Sequence, residues 1–411
     1  MEGEVVRADS DQHTHPTNVD QLVAEDIERS VINNNCENST NRAIIAKIKE
    51  RCNDESVSDK MSNIRNLTQR AQRKRTEVKS EGPRIRTFAD LDLLPTEYTE
   101  FLVHCEENVF IFMEKNGFEI LNKCQTWCMD GTHSKCPTPF VQIYVIGGIF
   151  NRKMYPSVYC LLPNHESSSY DVILKYLKSC IENSPSRFIL DFEIAMFKSI
   201  AKSFPTVKIT GCVFHFFQNL EKNLKKKGLV TLRNNNEHVK KAILMIKSLV
   251  YAPPGFVLDV FDKYICNYIK VNGLNDIPEF QSFVCYFETS YLGKKQKRSR
   301  KKPTFSLDSW NMFHELCDNL PTTNNSMEQW NREFNQNNVG KQNIYTCIKG
   351  FKREILFCEA KWSELCQGSL IETETSRRRK LAEEREKKLV VMRSFSLENV
   401  SDFVDNMILL L

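Results

Sequence analysis

The spacing of hydrophobic positions changes several times along the chain, and each change predicts a different kind of element. Residues 1 to about 40 show little periodicity and an excess of Asn, Ser, Asp and His, which predicts a disordered arm or the remnant of a module. Residues about 41 to 75 carry apolar positions at helical spacing in AIIAKIKERC and SDKMSNIRNLTQRAQRKR, so two short helices with polar breaks are expected. A linker, KSEGPRIRTFADLDLLPTEY, leads into a region of different character. There FLVHCEENVFIFM precedes LNKCQTWCMD, an apolar-to-polar stretch that ends on Asp130. VQIYVIGGIF (141–150) and MYPSVYCLLP (154–163) are dense in β-branched and aromatic residues, as strands are, with a short Asn-Arg-Lys turn between them. SSSYDVILKYLKSCIEN returns to helical spacing behind serines suited to capping. RFILD reads as a short strand ending on Asp191, and FEIAMFKSIAKSF as a helix stopped by Pro205. VKITGC reads as another strand, and VFHFFQNLEKNLKKKGL as a helix ending at Gly228.

Written in order this is β-β-β-α-β-α-β-α, which predicts an α/β fold: a mixed sheet flanked by helices on both faces, in the RNase H-like arrangement. Its two aspartates fall at strand ends, where side chains from neighbouring strands converge at one edge of a sheet. Residues about 235 to 320 carry helical patterns such as VKKAILMIKSLVYA and no good strand signal. The expected division is an arm over 1–40, a small helical region and linker over 41–90, and the first part of the core over 91–232. A helical insertion with a basic loop follows over 233–320, then a helix-bearing part of the core over 321–368, and a charged helical tail over 369–411.

Composition narrows the class. Of 411 residues, 41% are hydrophobic and 27% charged, as in ordinary globular chains long enough for two or three domains. No apolar run approaches the roughly 20 residues of a membrane helix, so no membrane partner is expected. The polar, acidic start does not read as a signal peptide. The 15 cysteines are scattered, which favours reduced thiols over a disulfide scaffold. A net charge of +5 decides little, but its placement is informative. Basic runs lie at Arg70–Arg75, at Lys294–Lys302 (KKQKRSRKK) and at Arg377–Lys380. The second holds no acid between structured segments, so Lys294, Lys295, Lys297, Arg298, Arg300, Lys301 and Lys302 are candidates for contact with a phosphate backbone or for a nuclear address. The alternative for such a run is a solvated loop.

Phosphodiester chemistry on DNA uses divalent cations held by carboxylates, and two aspartates on neighbouring strands plus one acid from a facing helix form such a cage. With 52 acids in the chain, spacing alone does not choose among them. Three blocks do. DGTHSKCPTPFVQIYVIGGIF with MYPSVYCLLPNHESSSY, then ILDFEIAMFKSIAKSFPTVKITGCVFHFFQNL, then TTNNSMEQWNREFN resemble, in order, the three acid-bearing blocks of Mutator-like (MULE) transposases. The resemblance runs from roughly 88 to 365. It implies catalytic, metal-binding acids at Asp130, Asp191 and Glu328, a Cys-x-x-His pair at Cys212 and His215, and Mg²⁺ or Mn²⁺ as cofactor. It implies cut-and-paste transposition as the activity, transposon ends and target DNA as partners, a second copy of the chain as a candidate partner, no small-molecule substrate, and the nucleus as location.

Each residue has a structural alternative. Asp130-Gly131 can open a turn, and Asp191 can cap the following helix, with Glu193 as its substitute at the site. Asn325 and Glu328 have capping-box spacing, which would occupy Glu328 in a helix start, leaving Asp308 and Glu315 as replacements. Cys212 and His215 contact DNA or orient the carboxylates, or form a buried pair; two ligands do not make a zinc site. Cys124, Cys128, His133 and Cys136 crowd together but straddle a strand, so zinc is not expected in this chain. Cys347, Phe351, Ile355, Cys358 and Trp362 fall on one helical face and read as core, as do Trp310, Trp330 and Phe334. His13-Thr-His15 resembles the closing residues of a FLYWCH-type zinc finger whose cysteines would lie upstream. Three functions follow as expectations: a DNA transposase with a DDE triad, a domesticated DNA-binding protein that keeps the fold without the reaction, and a non-transposing nuclease.

Overall fold

The computed structural model describes residues 19–35, 39–52, 54–78, 82–297, 299–337, 343–367 and 376–411. His13, His15 and Arg298 lie outside them. The chain divides into two compact units, one of residues 1–84 with 336–341 and the other of residues 85–335 with 342–411.

The first unit is helical: α1 (Val19–Asn35), α2 (Asn41–Arg51), α3 (Glu55–Ser58) and α4 (Ile64–Val78). Thr40 caps α2 and Asp54 caps α3, each side chain accepting a backbone N–H from the first turn. Val31, Ile32, Ile44, Ile48, Leu67 and Ala71 close a small core. The helix over 19–35 corrects the expected arm. Its periodicity is masked because an acid, Glu28, takes a core position and is 1% exposed. Ser62 satisfies that carboxylate through its backbone N–H (2.6 Å) and hydroxyl (3.0 Å), and Arg70 pairs with it. A buried acid so matched breaks the sequence pattern without breaking the fold.

The second unit is built on one seven-stranded mixed sheet: β1 (Leu102–Glu106), β2 (Val109–Met113), β3 (Thr126–Thr132), β4 (Gln142–Phe150), β5 (Lys153–Leu162), β6 (Arg187–Leu190) and β7 (Lys208–Gly211). Their order is β1-β2-β5-β4-β3-β6-β7. The pairs β3–β4, β4–β5, β2–β5 and β1–β2 are antiparallel, and β3–β6 and β6–β7 are parallel. The β4–β5 hairpin turns on Asn151 and Arg152, both at positive φ (46° and 60°), the handedness that two-residue hairpin loops require. β1 and β2 are an additional hairpin, turning on Glu107 and Asn108 at φ 52° and 61°. The polar Glu106-Glu107-Asn108 step between two apolar stretches is the sequence signal for this hairpin, which the β-β-β reading does not include.

Helices cover both faces. On one side α5 (Lys115–Lys123), α6 (Ser167–Cys180) and α7 (Ile194–Ser203) pack with Trp127, Met129, Phe188 and Leu190. The alternate residues Cys128 and Ile189 face the other side, where α16 (Asn325–Asn337) and α17 (Ile344–Cys366) bring Met327, Trp330, Phe334, Cys347, Phe351 and Ile355. Cys358 and Trp362 are buried further along α17, so the expected apolar face of this helix is core throughout.

After β7 the chain is helical: α8 (Val213–Lys226), α9 (Leu229–Asn235) and α10 (Glu237–Ser248). Then come α11 (Val257–Asp259) and α12 (Cys266–Val271), joined by a π-helical turn, and α13 (Pro278–Phe287), α14 (Leu307–Trp310) and α15 (Phe313–Cys317). Gly228 ends α8 in the left-handed conformation, as expected (φ 71°). The tail, α18 (Ser376–Arg393) and α19 (Val400–Ile408), does not stand apart: Leu389, Met392, Phe403, Val404 and Met407 enter the same core as the helical region, with Phe216, Phe261, Phe287 and Trp310.

Candidate active site

Strand register builds the site. β3 and β6 pair with Thr126 beside Arg187 and Cys128 beside Ile189, a register that continues to Asp130 beside Asp191. β6 and β7 pair with Leu190 beside Gly211, and the same step continues to Asp191 beside Cys212. Extended by that step, the register sets Asp130, within β3, in one row with Asp191 and Cys212, the residues that directly follow β6 and β7. Asp130 shares its parity along β3 with Cys128, so its side chain belongs to the face covered by α16.

The segment before α16 is stitched to that row. Val213 N–H donates to Thr322 O (3.0 Å), the Asn324 N–H to Cys212 Sγ (3.4 Å) and Asn324 Nδ2 to Met129 O (3.4 Å). α16 then sets Met327, Trp330 and Phe334 into the core, and Glu328 and Asn331 one turn apart toward the acids. Asn331 Nδ2 donates to Asp130 Oδ2 at 2.6 Å. Glu328 Oε1 lies 3.3 Å from His215 Nε2, and the ligand atoms of Cys212, His215 and Glu328 all fall within 4.8 Å of one another.

The three alternatives drawn from local sequence do not hold. Asp130 and Gly131 continue β3, paired with Val145 and Tyr144, and make no turn. A side chain at Gly131 would displace the terminal amide of Gln142, which packs closely over that position. α7 begins after Glu193 with no side-chain cap from Asp191. Glu193 instead accepts a hydrogen bond from the Tyr170 hydroxyl (2.5 Å), which occupies it outside the row. At α16 the backbone carbonyl closing the first turn is that of Asn324, which accepts from the Met327 and Glu328 N–H groups. Glu328 therefore lies past the position a capping-box acid takes. Of the replacements for Glu328, Asp308 is exposed on α14, and Glu315 is buried against Lys208 at the opposite end of β7.

The electrostatics are those of acids held together without enough positive charge. Asp130 is 6% exposed, and burial, with the neighbouring charges of Asp191 and Glu328, pushes its carboxyl up to about 8. Burial and the charge of Glu193 push Asp191 up to about 7, against the pull of backbone N–H groups and the Lys222 ammonium. Burial raises Glu328 too, partly offset by Arg332. His215 is lowered to about 4 by burial and by Lys222, so its imidazole is neutral near pH 7. Asp191 Oδ1, Glu328 Oε1 and His215 Nδ1 are buried with no hydrogen-bond partner. Buried carboxylate oxygens with vacant lone pairs, beside like charges, could be satisfied by a hard divalent cation, although among the described residues the group whose ligand atoms all lie within 4.8 Å of one another is Cys212, His215 and Glu328, without Asp130 or Asp191.

The basic loop stands apart from this row. It is a tight hairpin closed by a Lys295–Arg300 bridge and by hydrogen bonds from Gln296 N–H to Ser299 O (2.8 Å) and Lys301 N–H to Lys294 O (3.0 Å). Arg300 is directed inward to Asp262, Glu288 and Gly293 O, and Lys295 reaches Asp262 at 3.1 Å. Lys294, Lys297, Lys301 and Lys302 are exposed. Asn324, Asn331, Lys222 and Tyr170 are absent from the sequence-based site. Asn331 alone had a usable signal, since it lies three residues beyond Glu328 on one helix face.

A mixed sheet with acids converging from two parallel strands and a facing helix defines a class of carboxylate-centred α/β domains. Residues 126–219 match the family model of the MULE transposase domain. No curated protein matches the chain. The matched segment contains Asp130, Asp191, Cys212 and His215 and ends before Glu328, so the third acid rests on the geometry of α16. A transposase domain implies DNA as partner, and among the described residues no helix is long and apolar enough to cross a membrane.

Proposed function

We propose that this chain is a Mutator-like DNA transposase of RNase H-like fold, which cleaves and joins DNA strands at element ends through Asp130, Asp191 and Glu328. The observation that carries the reading is the row of Asp130 and Asp191 under Glu328, with buried, unpartnered oxygens on Asp191 and Glu328. The order β5-β4-β3-β6-β7, with its antiparallel meander followed by two parallel strands, supports the RNase H-like assignment. Bound Mg²⁺ or Mn²⁺ would polarise the scissile phosphate and lower the pKa of the attacking water or 3′-hydroxyl. Asp130, Asp191 and Glu328 would hold the ions, and Asn331 would keep the Asp130 carboxylate in one orientation through its 2.6 Å hydrogen bond. The exposed Lys294, Lys297, Lys301 and Lys302 would contact the DNA backbone, and the protein would act in the nucleus.

The test is cleavage and strand transfer on a labelled duplex carrying candidate element ends, with Mn²⁺, comparing wild type with Asp191→Ala. Nicking lost in the variant, together with joined products, supports transposition. Nicking without joining indicates a nuclease. Folded, DNA-binding protein with no cleavage indicates a domesticated binding protein and overturns the proposal.

A further inference from the structure

We infer that Cys212, His215 and Glu328 form a second, softer metal site, selective for Zn²⁺-like cations and sharing Glu328 with the carboxylate centre. Cys-x-x-His alone offers two ligands; the fold adds the third by placing the first turn of α16 against the start of α8. The three ligand atoms lie within 4.8 Å of one another, and His215 Nε2 is 3.3 Å from Glu328 Oε1. A tetrahedral ion with bonds of roughly 2.0–2.3 Å spans ligand pairs about 3.5 Å apart, so modest side-chain rotation closes the site.

The surroundings suit such an ion. Cys212 is fully buried, which pushes its thiol up to about 11, and the Asn324 backbone N–H, donated to the sulfur at 3.4 Å, offsets this only in part. Glu328 Oε1 is buried with His215 Nε2 3.3 Å beside it and no well-aligned hydrogen bond, so an ion set between these two atoms satisfies the carboxylate oxygen. Thiolate, imidazole and one carboxylate favour Zn²⁺, Cd²⁺ or Co²⁺, whereas Mg²⁺ prefers oxygen ligands. Three protein ligands leave a fourth position for water. Lys222 and Arg332 act on this pocket as positive charges and limit its affinity. Binding releases the thiol proton of Cys212 as the sulfur–metal bond forms, so affinity rises with pH.

The consequence for activity rests on the proposed transposase reading: an ion held here draws Glu328 away from Asp130 and Asp191, so Zn²⁺ inhibits Mg²⁺-dependent cleavage. The site itself is tested without activity, by titrating the full chain with Co²⁺ and recording its visible and near-ultraviolet absorption. The expected result is a tetrahedral spectrum with a thiolate charge-transfer band, displaced by one equivalent of Zn²⁺. Cys212→Ser removes the band, His215→Ala weakens binding about ten-fold or more, and Asp130→Asn leaves both unchanged. Circular dichroism confirms that each variant is folded, and His215→Ala serves if Cys212→Ser is not. An octahedral spectrum, or a thiolate band that survives both variants and so arises from other cysteines, overturns the inference. A tetrahedral site in a protein that never cleaves DNA leaves the inference standing and removes the transposase reading. Cleavage without a tetrahedral site does the reverse.

Discussion

The two ends of the parallel strands β6 and β7 carry buried charge in opposite ways. At the end where the strands begin, Arg187 is 6% exposed and Lys208 contacts Glu315, itself 1% exposed, so cations and an acid meet. At the end where they finish, Asp130, Asp191 and Glu328 crowd together, with Lys222 and Arg332 only partly opposing them. The first arrangement sets the buried Glu315 carboxylate between the buried Arg187 guanidinium and the Lys208 ammonium, which is 40% exposed, so opposite charges face one another there. The second leaves acids facing acids, and under the proposed function it is where a divalent cation would bind. Sheet and layers are the same at both ends; the difference lies in whether the charges are balanced.

The largest expected effect breaks the unbalanced end. Asp191→Ala or Glu328→Gln should lower metal-dependent cleavage by about a thousand-fold or more while leaving the far-ultraviolet circular dichroism unchanged. The balanced end should respond in the opposite sense. Glu315→Gln removes the charge that faces the buried Arg187 and should destabilise the protein by about 3 kcal/mol in urea unfolding, with the cleavage rate of the folded fraction unchanged.

The comparison sharpens further with pH. Because the folded Asp130 carboxyl titrates near 8 and its reference value is 3.8, the folded state binds protons more tightly than the unfolded one. Stability without metal should therefore fall as pH rises from about 4 through about 8. Asp191, pushed up to about 7, contributes to the same slope, so Asp130→Asn should remove part of it and raise the melting temperature at pH 8 in EDTA, an outcome opposite to that of Glu315→Gln. Smaller still, Asn331→Ala should weaken Mn²⁺ binding about ten-fold by freeing the Asp130 carboxylate. Smallest is the basic hairpin. Lys297→Gln and Lys301→Gln should each reduce the salt dependence of DNA binding by about one unit of slope, whereas Arg300→Gln should loosen the hairpin itself, because its guanidinium is tied to Asp262 and Glu288.

Much of this was legible in the chain. The strands β4 to β7 and the helices α6 to α8 follow from apolar spacing and their Gly and Pro punctuation. The two aspartates followed from the resemblance of their blocks to a known family, and Asp130, expected at a strand end, lies inside β3. Other features depend on partners distant in sequence. Helix α1 was hidden by Glu28, a core acid whose partners Ser62 and Arg70 follow more than thirty residues later. The tail helices looked merely charged because their apolar residues meet a core assembled from the helical region. Asn324 could not be identified because its bonds to Cys212 and Met129 exist only once α16 is folded over the sheet.

The central claim is that Asp130, Asp191 and Glu328 bind divalent cations together, and Mn²⁺ binding followed by electron paramagnetic resonance tests it most directly. The account predicts saturable binding to the wild-type chain, weakened at least about ten-fold in Asp130→Asn and in Asp191→Asn, and unchanged in Glu315→Gln. Equal Mn²⁺ affinity in the wild type and both aspartate variants would contradict it.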